Sequence, residues 1–202
     1  LHYPLRRQRQ MCIRDRHDSG GIVICKDKSS LDRKTAKAKL SASLQRDYSR
    51  IAREWPYKDV PRRIIAEEYL SELGNNEILD YKMYCFHGEP KITVVCSDRF
   101  SKTGTRMNFY DIDWKPMGIH FGHYPPLSTE FPRPETYDEM LRLAMELSKD
   151  CPFLRVDFYE IKGRLYIGEL TFFPGAGLEQ FRPITKDYEL GEWLHLETVH
   201  RG

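Results

Sequence analysis

The sequence lacks any CxxC pair, any cysteine and histidine spacing that would hold a structural metal, any internal repeat and any low-complexity tract. Its five cysteines, Cys12, Cys25, Cys85, Cys96 and Cys151, are scattered and odd in number. They argue against a disulfide framework and fit reduced thiols. Cys25, Cys85 and Cys96 lie in apolar strand-like runs and are expected to be small buried hydrophobes. No apolar run approaches the roughly 20 residues of a membrane helix, and the start carries no signal-peptide stretch, so the expected location is cytoplasmic. Neither charge sign dominates: 32 basic and 30 acidic residues, largely intermixed, leave a net +2. That offers no broad polyanion-binding surface, and no nucleic-acid partner is expected.

What is present is a chain of 202 residues, 40% hydrophobic and 12% aromatic, with room for one domain or two small lobes. The first sixteen residues stand apart. Leu1 to Arg16 is rich in Arg and Gln, shows no helix or strand period, and resembles the translated end of a fragmentary gene model. Residues 1–16 are therefore expected to be non-native or disordered, with the natural protein beginning upstream.

From His17 the pattern is orderly. Ser19-Gly20-Gly21 leads into a strand at Ile22–Lys26, and Ser30 or Asp32 caps a helix to about Arg46 with Leu31, Ala38, Leu40 and Leu44 as a sparse apolar stripe. Ile64–Leu70 reads as a strand. Asp80–Phe86 and Lys91–Cys96 read as a hairpin across His87-Gly88-Glu89-Pro90. Arg106–Trp114 adds a strand, and Lys115–Pro134 a long loop. Glu135–Lys149 is the clearest helix, through Met140, Leu143, Ala144 and Leu147. A last short helix is expected over Leu190–Leu196.

The stretch richest in chemistry is Arg155-Val156-Asp157-Phe158-Tyr159, a Lys162-Gly163 turn, then Leu165 to Thr171 and Pro174-Gly175-Ala176-Gly177. Both arms alternate with period two, so Arg155 shares a face with Asp157 and Glu169 with Thr171. A two-residue loop sets Asp157 opposite Gly168; a three-residue loop sets it opposite Glu169. The second register suits a shared cation. Two carboxylates on a rigid sheet with a neighbouring arginine match what Mg²⁺ and phosphate oxygens require. An ordinary hairpin with a solvated acidic face reads equally well from this stretch alone.

Two weaker signals lie upstream. Ser19-Gly20-Gly21 can offer backbone N–H groups to an anion, although a plain turn is the commoner reason for such a tripeptide. Glu67-Glu68-Tyr69-Leu70 ends an apolar strand, where an extended backbone can read an adenine edge; adjacent acids more often mark a solvated strand end.

The order of these pieces resembles the ATP-grasp superfamily, and more closely its TupA-like branch. The matches are Ser19-Gly20-Gly21, Arg53-Glu54-Trp55, Ile64-Ile65-Ala66-Glu67, Asp80-Tyr81-Lys82, Ser97-Asp98-Arg99-Phe100, Asn108-Phe109-Tyr110-Asp111, Arg155-Val156-Asp157 and Gly168-Glu169-Leu170-Thr171-Phe172. They run from about His17 to about Leu194. The resemblance implies an α+β, ATP-grasp-like fold of mostly antiparallel sheets with flanking helices. It implies an incomplete first lobe over 17–70 and a second lobe over 71–202. ATP and Mg²⁺ are the implied cofactors.

Carried over by position, Ser19, Gly20 and Gly21 would close over the phosphates. Glu67, Glu68, Tyr69 and Leu70 would line the adenine pocket, and Asp80 would bind ribose. Asp157 and Glu169 would hold Mg²⁺, with Arg155 near the transferred phosphoryl group. Thr171 stands where many relatives have a metal-binding Asn. Arg99 and Arg106 are candidates for an acidic substrate, against the alternative of surface arginines. Where relatives carry a phosphate-binding Lys before the glycine-rich loop this chain has Arg14, and Asp18 replaces an expected Gly.

The implied activity joins a small-molecule or glycan carboxylate to an amine in cell-surface polysaccharide or peptidyl-glycan synthesis, alongside cell-envelope synthesis enzymes. A noncatalytic scaffold, a phosphotransferase and a glycosyltransferase are the alternatives.

Overall fold

A computed structural model describes residues 11–15, 20–68, 70, 78–97, 104–122, 124 and 129–196. Ser19, Tyr69 and Arg99 lie outside the described residues. The chain divides into two compact units, Leu1–Leu70 and Ser71–Gly202.

In the first unit, β1 (Met11–Asp15) runs between β2 (Ile22–Cys25) and β3 (Ile64–Glu68), antiparallel to both. Residues 11–15 thus correct the expectation that the first sixteen residues stand outside the fold. Cys12-Ile13 supplies a β-branched, apolar centre that pairs with Ile24 and Val23 on one side and with Glu67 and Ala66 on the other. Helix α1 (Arg33–Gln45) starts at Asp32, whose carboxylate accepts from the backbone N–H of Lys34 at 2.9 Å and Thr35 at 3.1 Å. It packs on β1 and β2, and the residues it buries are Ala36 and Ser43 rather than Ala38 and Leu44. Two full turns separate these small residues, and the bulkier stripe stays half covered or exposed. The turn of helix α2 (Tyr48–Ile51) follows.

The second unit is built on a five-stranded antiparallel sheet of order β6-β5-β4-β8-β9. Strands β4 (Asp80–Phe86) and β5 (Glu89–Ser97) are joined by His87-Gly88 alone, both with positive φ (51° and 84°). This two-residue turn is tighter than the four-residue one expected, and Pro90 is taken into β5 beside a bulge at Tyr84/Cys85. Strand β6 (Arg106–Tyr110) stops short of Trp114 because Asp111 caps a turn, accepting from the N–H groups of Asp113 and Lys115. Within the expected loop, β7 (His120–Phe121) later pairs with β10 (Phe181–Arg182). Helix α3 (Tyr137–Ser148) precedes the hairpin of β8 (Phe153–Ile161) and β9 (Arg164–Thr171). The last helix, α4 (Ile184–Gly191), begins six residues before the expected span, right after Pro183.

The sheet has two unlike faces. Tyr81, Met83, Cys85, Val95, Leu154, Val156 and Phe158 face α3, which seats Tyr137, Met140 and Ala144 against them. At the centre the Tyr137 hydroxyl and the Thr93 hydroxyl share a 2.8 Å hydrogen bond. The opposite face starts aromatic, with Tyr84, Phe86, Phe109 and Phe121 packed against Leu190 of α4. It becomes charged at Lys82, Asp80, Arg155 and Asp157, because the strand alternation places these on the same side.

The β8–β9 hairpin resolves the two open registers in an unforeseen way. Its turn is the two-residue Lys162-Gly163, both with positive φ (53° and 70°), which pairs Ile161 with Arg164 and Phe158 with Ile167. Past a bulge at Gly168 the pairing becomes Asp157 with Glu169. The acids are directly opposed, as the three-residue loop would have made them, although the loop has two residues. Gly168 is required by space: a Cβ there would lie 2.5 Å from Cε2 of Tyr159.

Gly168→Ala is expected to destabilise the protein by roughly 1–3 kcal/mol, the usual cost of overpacking, seen as a lower urea midpoint; an unchanged midpoint would show that the Tyr159 ring swings aside freely. Burial in this sheet also pushes the Cys85 thiol up to about 11. Its folded pKa lies above that of an unfolded cysteine, about 8.5, so its stabilising contribution is complete below that value and is lost as pH rises toward the folded one. Iodoacetamide at pH 9 is expected to label Cys151, which is partly exposed, much faster than Cys85, with peptide mass spectrometry as the readout.

Candidate active site

The charged patch is built within the second unit from three adjacent strands. Register sets Lys82 of β4 beside Asp157 of β8, and Asp157 beside Glu169 of β9. Asp80 lies one alternation along β4 from Lys82, and Arg155 one alternation along β8 from Asp157.

Burial makes the arrangement costly. Asp80 is 0%, Asp157 1% and Lys82 8% exposed. The Lys82 ammonium binds Asp80 Oδ2 at 2.8 Å and forms a short contact to Asp157 Oδ2. Arg155 grips the same carboxylate with a fork, Nε to Oδ1 at 2.7 Å and Nη2 to Oδ2 at 2.9 Å. The same Nη2 lies 3.7 Å from Glu169 Oε2, so the guanidinium spans both acids. Burial alone would push the Lys82 ammonium down, yet Asp157 and Asp80 outweigh it and hold its pKa above the ordinary lysine value. Arg155 behaves the same way: burial opposes its charge, and Asp157 more than restores it. Charges buried this deeply add little net stability compared with apolar packing, so their concentration on one face points to chemistry.

Thr171 completes the row. It pairs with Arg155, two residues past Glu169, and is buried, and its hydroxyl has no hydrogen-bond partner among the described residues. An orphaned buried hydroxyl beside two opposed carboxylates is what a bound cation would satisfy. Among the described residues no three His, Cys, Asp or Glu side chains converge as a closed metal cage. The donor set therefore fits Mg²⁺ in its open mode, in which one or two carboxylates share the ion with substrate phosphates and water.

Other expected residues fall elsewhere. Gly20, with φ of 84°, Gly21, Glu67, Glu68 and Leu70 belong to the first unit. Glu67 pairs with Cys12 and is exposed. Arg106 pairs with Ser97 at the far edge of the sheet, on the α3 side, while its neighbour Met107 turns to the other face. The structure thus does not bring Arg106 to Asp157, because a one-residue offset along a strand reverses the face.

Lys82 and Tyr84 were missed as site residues. The available signal was the same period of two, since Asp80, Lys82 and Tyr84 alternate with Tyr81, Met83 and Cys85. Tyr84 stands across from Arg155, and burial, with help from Glu179, pushes its hydroxyl up despite the opposing charge of Arg155.

A family model for TupA-like ATPgrasp proteins matches residues 5–195, including β1 and the whole charged row. The chain belongs to the TupA-like ATP-grasp family. Several solved structures also match the chain. The D-alanine–D-alanine ligase of Bacillus anthracis complexed with ATP is 12% identical over 95% of this chain and 51% of its own, with a TM-score of 0.48. A second structure of that ligase is 16% identical over 91% and 49%, with a TM-score of 0.44. The ATP-grasp ligase PsnB, complexed with a phosphomimetic precursor variant, Mg and ADP, is 11% identical over 92% and 47%, with a TM-score of 0.41. The TupA-like chain therefore spans about half the length of these ligases. A search of curated proteins gives no match. No helix among the described residues is long and apolar enough to cross a membrane.

Lys82→Met in this TupA-like chain leaves two buried carboxylates without their shared cation. Loss of one partner of a buried pair costs about 3–5 kcal/mol, and a stability loss of that order is expected in urea. Adding Asp157→Asn is expected to recover part of it, so the double variant should lose less than the sum of the singles.

Proposed function

We propose that this chain carries the nucleotide and Mg²⁺ site of an ATP-dependent carboxylate–amine ligase. The observation that carries the reading is the row of buried Asp80, Lys82 and Asp157 with Arg155 and the half-exposed Glu169 across three neighbouring strands. Membership of the TupA-like ATP-grasp family supports it. The reaction class is transfer of the terminal phosphoryl group of ATP to a substrate carboxylate oxygen, with ADP leaving. An amine then attacks the activated carbonyl carbon, phosphate leaves, and the amine gives up a proton to yield the amide.

Asp157, Glu169 and the Thr171 hydroxyl would hold Mg²⁺, which when bound supplies positive charge to the phosphate oxygens. Arg155 provides a planar donor fork beside that position, suited to a phosphoryl group whose charge is spread over three oxygens. Lys82 adds a second fixed cation. Asp157 holds both cations before any ligand enters, so taking up Mg²⁺ at that carboxylate would require Lys82 or Arg155 to release an oxygen to it, which would free that cation for the phosphates. Asp80 accepts from Lys82 and would stand at the ribose-binding position that the family resemblance implies. Ser19, Gly20 and Gly21 would cover the phosphates, and Glu67, Glu68, Tyr69 and Leu70 the adenine ring. In this reading the protein works in the synthesis of a cell-surface polysaccharide or peptidyl-glycan, beside other envelope enzymes.

Asp157→Asn and Glu169→Gln are each expected to lower Mg²⁺-dependent ATP turnover at least about a hundredfold, the scale of removing a preorganised charge from a reacting phosphoryl group. Release of ADP measured across a Mg²⁺ series decides it, and full turnover in both variants would remove the metal role. Mg²⁺-dependent ATP binding without ADP release would favour the noncatalytic scaffold.

A further inference from the structure

Although the whole chain is nearly neutral, its charge is divided unevenly. Residues 20–68 carry twelve basic and seven acidic side chains, a net +5, whereas residues 71–202 carry fifteen and twenty-one, a net −6. Such an asymmetry points to an anionic partner for the first part. Six of the twelve cations, Arg46, Arg50, Arg53, Lys58, Arg62 and Arg63, lie in the link between α1 and β3, together with three acids. Two of those acids are already engaged. Asp47 accepts from the Ser49 hydroxyl at 2.6 Å and lies 3.3 Å from Arg50 Nε and 3.9 Å from Arg62 Nη2, while Glu54 is buried and accepts from the Tyr48 hydroxyl at 3.4 Å. Asp59 is exposed, and so are Arg53, Lys58 and Arg63, which pair with no acid among the described residues.

The link is a folded corner. Helix α2 packs against a 3₁₀ turn, Trp55–Tyr57, where the Tyr48 and Tyr57 rings meet edge to face at 5.3 Å. Arg53, between the two turns, holds a positive φ of 59°, a cost that persists where packing enforces it. Arg62 ties the far end back to α1 by donating to the Leu44 carbonyl at 3.2 Å. In this corner the two tyrosines are half covered while Trp55 is 64% and Ile51 66% exposed. A single exposed apolar residue is ordinary. Two large ones, from turns that pack on each other and in a segment with three unpaired cations, have the composition of a bilayer contact.

We propose that this corner seats the protein on an anionic lipid bilayer, with Trp55 and Ile51 entering the headgroup boundary and Arg53, Lys58 and Arg63 meeting lipid phosphates. The inference does not rest on the ligase reading. Indole is amphipathic and settles at the level of lipid headgroups, where a basic residue gains from the negative surface potential. Because packing of the two turns holds the corner before contact, little ordering entropy is lost on docking. A soluble polyanion would use the cations and gain nothing from Ile51. A stable protein partner would bury about 800 Å² on each side, more than two apolar side chains provide. Charge and apolar surface together therefore favour lipid.

Co-sedimentation of the full chain with vesicles tests it, using phosphatidylcholine alone and phosphatidylcholine mixed with phosphatidylglycerol. Binding is expected to the mixed vesicles, to weaken with added salt, and to be at least about tenfold weaker on phosphatidylcholine alone, the scale of two basic residues at an anionic surface. Arg53→Gln and Lys58→Gln should each weaken it about fivefold, and Trp55→Ala at least about tenfold, the scale of burying one large side chain. Brominated acyl chains are expected to quench part of the tryptophan fluorescence, and that part should vanish in Trp55→Ala, which keeps Trp114 and Trp193. Equal binding to both vesicle types, or undiminished binding and quenching in Trp55→Ala, would overturn the assignment. Heparin is the counter-probe: affinity for it that falls with Trp55→Ala as much as vesicle binding does would mark a general polyanion site and sink the membrane role.

Discussion

The Asp157 carboxylate is the point on which the second unit turns. Both of its oxygens are claimed, by Lys82 from one neighbouring strand and by Arg155 from its own, and Arg155 reaches on to Glu169 of the next. The interior of a sheet is a poor solvent for charge, so the buried Asp157 and Lys82 are tolerable only because their partners are present. Strand register is thereby tied to electrostatics: a slip of one residue would turn Lys82 toward α3 and strand Asp157 among aromatic rings. The apolar core fixes that the sheet forms, and the charged row disfavours every pairing but one.

Much of this was legible because period-two alternation survives in the sequence wherever a strand has two unlike faces. Arg155 and Asp157 could be assigned to one side of their strand, Glu169 and Thr171 to one side of theirs, and Ser30 or Asp32 to a helix start, from spacing alone; that the two pairs share a face depends on the bulge at Gly168. Lys82 escaped because a lysine two residues from an aspartate on its own strand carries no sign of its partner 75 residues away. Such pairing depends on β4 meeting β8, which only the sheet order decides. Arg106 was misleading for the complementary reason, since an arginine on a strand looks equally available to either face. The strand Met11–Asp15 was hidden by composition: flanking arginines masked a short apolar centre whose partners lie in Ile22–Cys25 and Ile64–Glu68.

The sheet's two faces also divide the labour of stability and chemistry. On the α3 side, packing is close and almost wholly apolar, with Met83, Cys85, Val156 and Phe158 fully covered. On the other side the aromatic cluster around Tyr84 and Phe181 supplies the low-dielectric wall beside which the charges act strongly. The same two strands, β4 and β8, serve both. Substitutions one residue apart on them therefore touch different properties of the molecule.

Strand β9 is the outermost of its sheet and carries Ile167, Leu170 and, just beyond it, Phe172 in contact with solvent. A straight, greasy edge of that kind is a template on which further chains can add and polymerise. The extra residue at Gly168 breaks the ladder midway and bends the edge, so an incoming strand can match one half of it but not both. One glycine thus sets two acids opposite each other and interrupts the ladder that the edge would offer.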